Sequence, residues 1–175
     1  RAHPQAVHRG TVERIRTEAK RLSRTVEHRS DEYSAAEFAA LAYPDRIGLR
    51  RDGEAARYVL SGGKGALIDT GDALSREKLI VATDLDGDPR EARVRQGIAL
   101  GDAEMRRLHS DRITREEVVE WSRRDGRVLA RMQERLGALV LSDAPLQKPS
   151  PDAVARAAVE GLRSVGLPMS EPARR

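Results

Sequence analysis

Between Asp45 and Ser142 the chain is cut repeatedly by glycine-bearing pairs: Asp52-Gly53, Gly62-Gly63, Gly71-Asp72, Asp86-Gly87 and Asp125-Gly126. Each can supply the positive φ that a tight hairpin needs, and most of the stretches between them suit strands better than helices. Extended runs are expected at 46–51, 56–61, 65–68, 78–85, 92–99, 113–121, 127–132 and 136–141. Alternation is clearest in Ala92, Val94, Gln96 and Ile98 against Arg93, Arg95 and Gly97. Such spacing favours a small sandwich or barrel.

Helical patterns bracket the strands. Val12, Ile15, Ala19, Leu22 and Val26 recur at steps of three and four, which predicts a helix over about 11–28 with one apolar stripe and basic residues elsewhere. Ser34-Ala35-Ala36-Glu37 has the form of a capping box, with Phe38 and Leu41 expected to face inward and Pro44 to end the helix. Asp102 is expected to cap a helix through Met105 and Leu108. Ser150-Pro151-Asp152 opens another, carrying Val154, Ala157, Ala158, Leu162 and Val165, with Gly166 as its stop. Residues 143–150, with Pro145 and Pro149, have the composition of a linker.

Composition sets the remaining bounds. At 175 residues the chain holds one fair-sized domain with helical attachments, and is too short for a multi-domain enzyme. Aromatic residues are only 3%, so the core must be built from Leu, Val, Ile and Ala around Trp121, Phe38, Tyr33, Tyr43 and Tyr58. The absence of cysteine excludes disulfides, thiolate metal sites and cysteine nucleophiles. No apolar run is long enough for a membrane span and no signal peptide opens the chain, which makes the cytoplasm the expected compartment. The start at Arg1 without Met and the end at Arg174-Arg175 read as those of a piece of a longer protein. The net charge of +4 is unevenly distributed: residues 1–30 hold eight basic and three acidic groups, a net +5, and the remainder is −1. The basic excess is therefore N-terminal and not a coat over the molecule.

Several apparent motifs weaken on inspection. Ser61-Gly62-Gly63-Lys64-Gly65 suggests a phosphate loop, but Tyr58 stands where the first Gly belongs, Gly65 follows the Lys, and the context is strand to strand. A hairpin turn is the better reading. Asp84-Leu85-Asp86-Gly87-Asp88 resembles a calcium loop, yet its Gly is fourth and Glu91 eighth where sixth and twelfth are needed. A charged hairpin turn is expected instead. His109, Ser110 and Asp111 are consecutive and cannot converge as a relay triad, so His109 is expected at a solvated helix end, and four scattered His make no metal site.

One surface reading survives. Arg93 and Arg95 alternate with the apolar face of a strand, and Arg57, Tyr58 and Lys64 lie on or near another hairpin. Cations for phosphates and a ring for stacking a base are what small barrels use to hold single strands. The alternative is an ordinary solvated face, since Glu54, Asp84 and Glu91 are interspersed.

The run Leu41-Ala42-Tyr43-Pro44-Asp45-Arg46-Ile47 is more specific. With Arg57-Tyr58-Val59-Leu60-Ser61-Gly62-Gly63-Lys64-Gly65-Ala66, Leu79-Ile80-Val81-Ala82 and Asp84-Leu85-Asp86-Gly87, it resembles the segment that follows the helicase core in HrpB-type bacterial ATP-dependent helicases of the DEAH-box group. Val119-Glu120-Trp121, Arg135-Leu136-Gly137-Ala138-Leu139-Val140-Leu141, Gly161-Leu162 and Gly166-Leu167 continue the resemblance in order, over about residues 35–168. Ser122, where the family usually has an acidic residue, and Met169, where a Trp is common, depart from it.

The resemblance implies a mainly β fold with flanking helices (α+β): an OB-like small antiparallel barrel. Residues 1–43 would be the end of a helical bundle, 44–143 the barrel domain, and 144–175 a linker and helix leading into a further C-terminal region. It also implies an accessory nucleic-acid-binding domain of an ATP-dependent RNA helicase, lining the single-strand channel. Its partners would be a single-stranded nucleic acid, with RNA expected over DNA, and the RecA-like domains of the same chain, with no membrane. ATP and Mg would be held by those RecA-like domains and no cofactor by this segment, which is expected to be non-catalytic. The candidate contacts are Arg57, Tyr58, Lys64, Arg93 and Arg95. A protein-interaction or regulatory module docking on the helicase core is the alternative.

Overall fold

A computed structural model describes residues 9–25, 33–53, 55–88 and 91–166. The chain divides into two compact units, Arg1–Ser34 and Ala35–Arg175. The first contains helix α1 (Arg9–Ser23), whose charged flank carries the ion pairs Arg16–Glu13 at 3.2 Å and Arg21–Glu18. Ile15 and Leu22 of its apolar stripe are exposed, and Val26 lies outside the described residues.

The second unit begins with α2 (Ala35–Ala42) and continues through β1 (Ile47–Arg50), β2 (Arg57–Leu60), β3 (Gly65–Leu67), β4 (Leu79–Leu85) and β5 (Glu91–Ala99). A short 3₁₀ turn, Ala73–Arg76, links β3 to β4. These strands close into a barrel in the order β1-β2-β3-β5-β4. Directions cannot alternate all the way around a ring of five, because alternation needs an even number. One neighbouring pair must run parallel, and it is β3–β5, which departs from the purely antiparallel expectation. The barrel interior is filled by Ala56, Tyr58, Leu60, Ala66, Ile68 and Ile80, with Leu74, Leu85 and Val94 packed around them.

A second core lies outside one wall of the barrel. Ile47, Leu79 and Val81 point outward there and meet Ala36 and Ala40 of α2, Met105 of α3 (Asp102–Leu108), and Leu136 and Leu139. Residues 79–82 of β4 are thus covered on both faces, which is why Leu79-Ile80-Val81-Ala82 reads as an unbroken apolar run with no alternation. Small residues let α2 lie close: Ala40 is fully buried, and Glu37, itself buried, accepts a hydrogen bond from Arg107 Nη2. The inward positions of α2 are therefore Ala36, Glu37 and Ala40. Phe38 and Leu41, expected inside, are 61% and 47% exposed. The cap of α3 also differs from expectation: the cap residue is Gly101, whose N–H is held by Glu104 Oε2 at 2.8 Å, while Asp102 pairs with Arg106.

The last three strands do not join the barrel. β6 (Ile113–Ser122), β7 (Arg127–Leu136) and β8 (Leu139–Pro145) form a separate antiparallel sheet in sequence order. The break between β7 and β8 falls at Gly137-Ala138 and not after Met132, because the polar stretch Gln133-Glu134-Arg135 is the paired centre of the sheet. Helix α4 (Pro151–Val165) packs on β6 and β7. Gly161 makes this possible: a Cβ there would sit 2.2 Å from Trp121 Cδ2, so the indole lies against bare backbone. Pro151 opens α4 and Gly166, at φ +82°, closes it, although the Ser150 hydroxyl makes no capping bond.

Sheet and barrel are joined at two turns. The β7–β8 turn is seated on the β2–β3 turn: Ala138 N–H donates to the Ser61 carbonyl at 2.9 Å, and a Cβ on Gly137 would lie 2.4 Å from the same oxygen. Gly137 also has φ +56°, so it is constrained by both conformation and space. Gly126, at φ +63° in the β6–β7 turn, has nothing within 4 Å of its would-be Cβ. Gly126→Ala is therefore expected to destabilise by about 1 kcal/mol through backbone strain alone, and Gly137→Ala by about 2 kcal/mol or more. Urea unfolding of the two variants side by side checks this, and equal losses would mean that the turn contact carries no weight.

Candidate nucleic-acid interface

Strands β2, β3 and β5 are neighbours in the barrel, and their outer face is covered only in part, since Val59 of β2 and Ile98 of β5 pack against the outer core. Register places Arg57, Leu67 and Arg93 in a row across it, since Arg57 pairs with Leu67 and Leu67 with Arg93. The inward row beside it is Tyr58, Ala66 and Ala92, all fully buried. Arg95 is exposed on the same strand, but not by simple alternation. The β4–β5 ladder passes from Gln96 opposite Asp84 to Val94 opposite Leu85, leaving Arg95 as the extra residue of a bulge. The bulge reverses the phase of the strand: Val94 packs inside the barrel, Gln96 is exposed, Ile98 joins the outer core, and Gly97 takes the inner side. A Cβ on Gly97 would stand 3.0 Å from the Val81 carbonyl, so glycine is the residue that fits there. This corrects the alternation expected for the strand.

Tyr58 does not share this face. Its ring is a core residue at 0% exposure, with the hydroxyl 2.7 Å from the Leu74 carbonyl oxygen and 2.8 Å from that of Glu77. Burial pushes the phenol above its usual range. The stacking role expected for Tyr58 is thereby excluded, and what it does is tie the β3–β4 connection to the barrel interior. Lys64 sits in the β2–β3 turn, one residue before Gly65, and is partly exposed. The amides of that turn are engaged within the fold: Ser61 N–H donates to Ile47 O at 2.7 Å, Gly62 N–H to Asp45 O at 2.9 Å and Gly63 N–H to Leu60 O at 2.7 Å. It is a hairpin turn used for packing, with these three amides directed away from any external anion.

Carboxylates temper the positive wall. Arg57 Nε lies 3.3 Å from Glu91 Oε1. Asp86 Oδ1 accepts from the amides of Arg93 at 2.9 Å and Asp88 at 3.2 Å, which makes the β4–β5 connection a carboxylate-braced turn. Those two bonds hold the Asp86 carboxyl below its usual range, assisted by the nearby charges of Arg95 and Arg93. Both arginines therefore lie close to a fixed negative charge. Among the described residues no group of three His, Cys, Asp or Glu is placed to hold a metal ion. No described helix is long and apolar enough to cross a membrane.

Another set of cations, not singled out by the sequence reading, stands at the tip of the β6–β7 hairpin: Arg123, Arg124 and Arg127, all exposed. Its signal in the sequence is the run Arg-Arg-Asp-Gly-Arg, three cations around an Asp-Gly turn.

Comparison with known proteins gives a consistent picture. The family described as "ATP-dependent RNA helicase HrpB, connector region" matches residues 112–146, which is almost the span of the β6–β7–β8 sheet. The chain is 33% identical over 141 residues to the ATP-dependent RNA helicase HrpB of Escherichia coli (strain K12), with 79% of this chain and 17% of that protein covered. Among solved structures, the E. coli DExH-box NTPase HrpB superposes with a TM-score of 0.64 at 31% identity over 95% of this chain. The Escherichia coli DEAH/RHA helicase HrpB gives 0.61 at 28% identity over 99%. The chain spans about a fifth of the length of these relatives.

Just upstream of the matched sheet, His109 corrects another expectation. It is 3% exposed and not solvated, and its Nε2 has no hydrogen-bond partner among the described residues. Burial, with Arg112 adding to it and Asp111 opposing, lowers its pKa from the ordinary 6.5. Below pH 6.5 the unfolded chain takes up a proton that the folded ring resists, so this contribution to stability is complete above pH 6.5 and declines as pH falls toward the folded value. Glu134 and Asp86 are held below their ordinary values of 4.5 and 3.8, so what they contribute is lost only in a more acid range. The urea midpoint is therefore expected to drop between pH 7.5 and pH 5.5 in the wild type. His109→Leu should flatten that drop, and an unchanged pH profile in the variant would show that the buried imidazole is not its source.

Proposed function

We propose that this chain, similar to HrpB-type ATP-dependent RNA helicases in family profile, sequence and fold, is an accessory nucleic-acid-binding region of such an enzyme, set beside the path of a single strand of RNA. The observation that supports this most directly is the exposure of Arg57, Arg93 and Arg95 on the outer faces of β2 and β5, with Lys64 at the β2–β3 turn. The OB topology offers strands 2 and 3 and the adjoining loops to oligonucleotides. Cations on those faces contact phosphates, and with Tyr58 removed to the core the surface offers no ring for stacking. Binding is consequently electrostatic, indifferent to sequence and weak, because Glu91 and Asp86 offset part of the charge. ATP and Mg are assigned to RecA-like domains elsewhere in the parent enzyme, which acts in the bacterial cytoplasm.

A second reading is that the region docks on the rest of the helicase and regulates it. The exposed Phe38 and Leu41 of α2 favour this reading, since large apolar side chains at neighbouring helical positions suit a protein contact.

Fluorescence anisotropy with a short single-stranded RNA tests the binding. The wild type is expected to bind at low salt, with a shallow log–log salt slope of about 0.7 for each phosphate contacted. Arg93→Ala with Arg95→Ala should weaken binding and lower the slope by about 1.4. Binding indifferent to both salt and these substitutions would reject the barrel wall as the contact, and no binding at low salt would favour the docking reading.

A further inference from the structure

The β6–β7 hairpin treats its arginines in two different ways. Along the shaft they are neutralised. Arg115 lies opposite Glu134 in the ladder and pairs with it at 2.9 Å, and Arg106 reaches the same carboxylate at 3.0 Å. Arg135 Nε lies 3.7 Å from Glu116, and Arg131 Nε 3.8 Å from Asp143. At the tip the pattern stops. Arg123, Arg124 and Arg127 are exposed and form no ion pair among the described residues. Three arginines there face one carboxylate within the turn, Asp125, whose Oδ2 accepts from the Ser122 hydroxyl at 2.9 Å.

The turn that carries them is braced. Ser122 Oγ also accepts the Asp125 N–H at 3.1 Å, Gly126 N–H donates to Ser122 O at 2.9 Å, and Gly126 supplies the positive φ. The arginines thus project from a defined turn at the end of a ten-residue ladder, about 30 Å beyond the hairpin base. No large apolar side chain lies in the segment 122–127, so the tip lacks what a membrane-inserting loop would need. Guanidinium groups without a carboxylate partner, held on a rigid support, suit phosphate oxygens, which they can engage through two parallel N–H donors.

We propose that the β6–β7 tip is a phosphate-contacting finger, in which Arg123, Arg124 and Arg127 engage the backbone of a single-stranded nucleic acid separately from the barrel wall. The inference rests on the nucleic-acid reading given above but on different residues, so the two can fail independently.

The test uses the 175-residue chain, a short single-stranded RNA and anisotropy across a salt series. The variant Arg123→Ala/Arg124→Ala/Arg127→Ala should bind about tenfold more weakly at moderate salt, with the salt slope lowered by about 2. The corresponding triple Lys variant should recover most of the slope, because the charges return. Fluorescence of Trp121, the one tryptophan in the chain, reports whether the variant hairpin is folded. Loss of binding in the tip variant with the Arg93/Arg95 variant unaffected supports the finger and rejects the barrel wall. The reverse result overturns the finger and leaves the barrel reading standing. No binding by the wild type at low salt overturns both. If polyglutamate of matched charge competes as well as RNA does, the assignment to nucleic acid is overturned in favour of an acidic protein partner.

Discussion

The carbonyl oxygen of Ser61 is where the second unit is held together. It accepts the Ala138 amide, and Gly137 closes over it with no room for a side chain. The turn that presents this oxygen is fixed from its other side: the Ser61 hydroxyl donates to Pro44 O at 2.7 Å, and a Cβ on Gly62 would come within 3.0 Å of Asp45 O. Three stretches far apart in sequence, 43–47, 61–65 and 135–141, therefore meet in one place. They are also stretches that carry the resemblance to HrpB-type helicases. Each glycine and each proline-flanked polar residue there is tied to a backbone contact, which leaves little freedom for substitution.

From that node the two cores follow. With the β7–β8 turn seated on the barrel, Leu136 and Leu139 reach Ile47, Leu79 and Val81, and the outer wall of β1 and β4 is closed. That covering extends to Val59 of β2 and Ile98 of β5, and Arg57, Arg93 and Arg95 stay exposed on the same two strands. The candidate contacts lie in two separate places, on the outer faces of β2 and β5 and at the β6–β7 tip.

Legibility in the sequence was uneven for physical reasons. Most of the strands are visible because glycine turns separate them, the β7–β8 break being the exception, and α4 is visible because Pro151 and Gly166 mark its ends. Sheet membership was not visible: nothing local in Ile113–Pro145 says that these strands pair among themselves and not with the barrel. The inward face of α2 is not the one that side-chain size indicates, because close approach to the barrel selects alanine. In the site, the outward position of Arg93 is legible from alternation, and that of Arg57 only from its nearness to a hairpin. Tyr58 was not, since period two puts neighbours on opposite faces and the ring followed the core phase. Arg95 reached the surface through a bulge that no pattern announces. His109 looked solvated because its neighbours are polar, yet the chain turns there from α3 into β6 and carries the ring inside.

Ring closure has a consequence for self-association. A closed barrel exposes no strand edge, so in this unit the hydrogen-bonding edges left open belong to β6 and β8. The two are guarded differently. β8 ends in Pro145, which brings no amide hydrogen to a newcomer. β6 carries Arg115, Glu116, Glu117 and Glu120 along its length, so a second copy adding there in parallel register would bring like charges side by side. A long, otherwise regular hairpin can thereby keep an unpaired edge without acting as a template for its own kind.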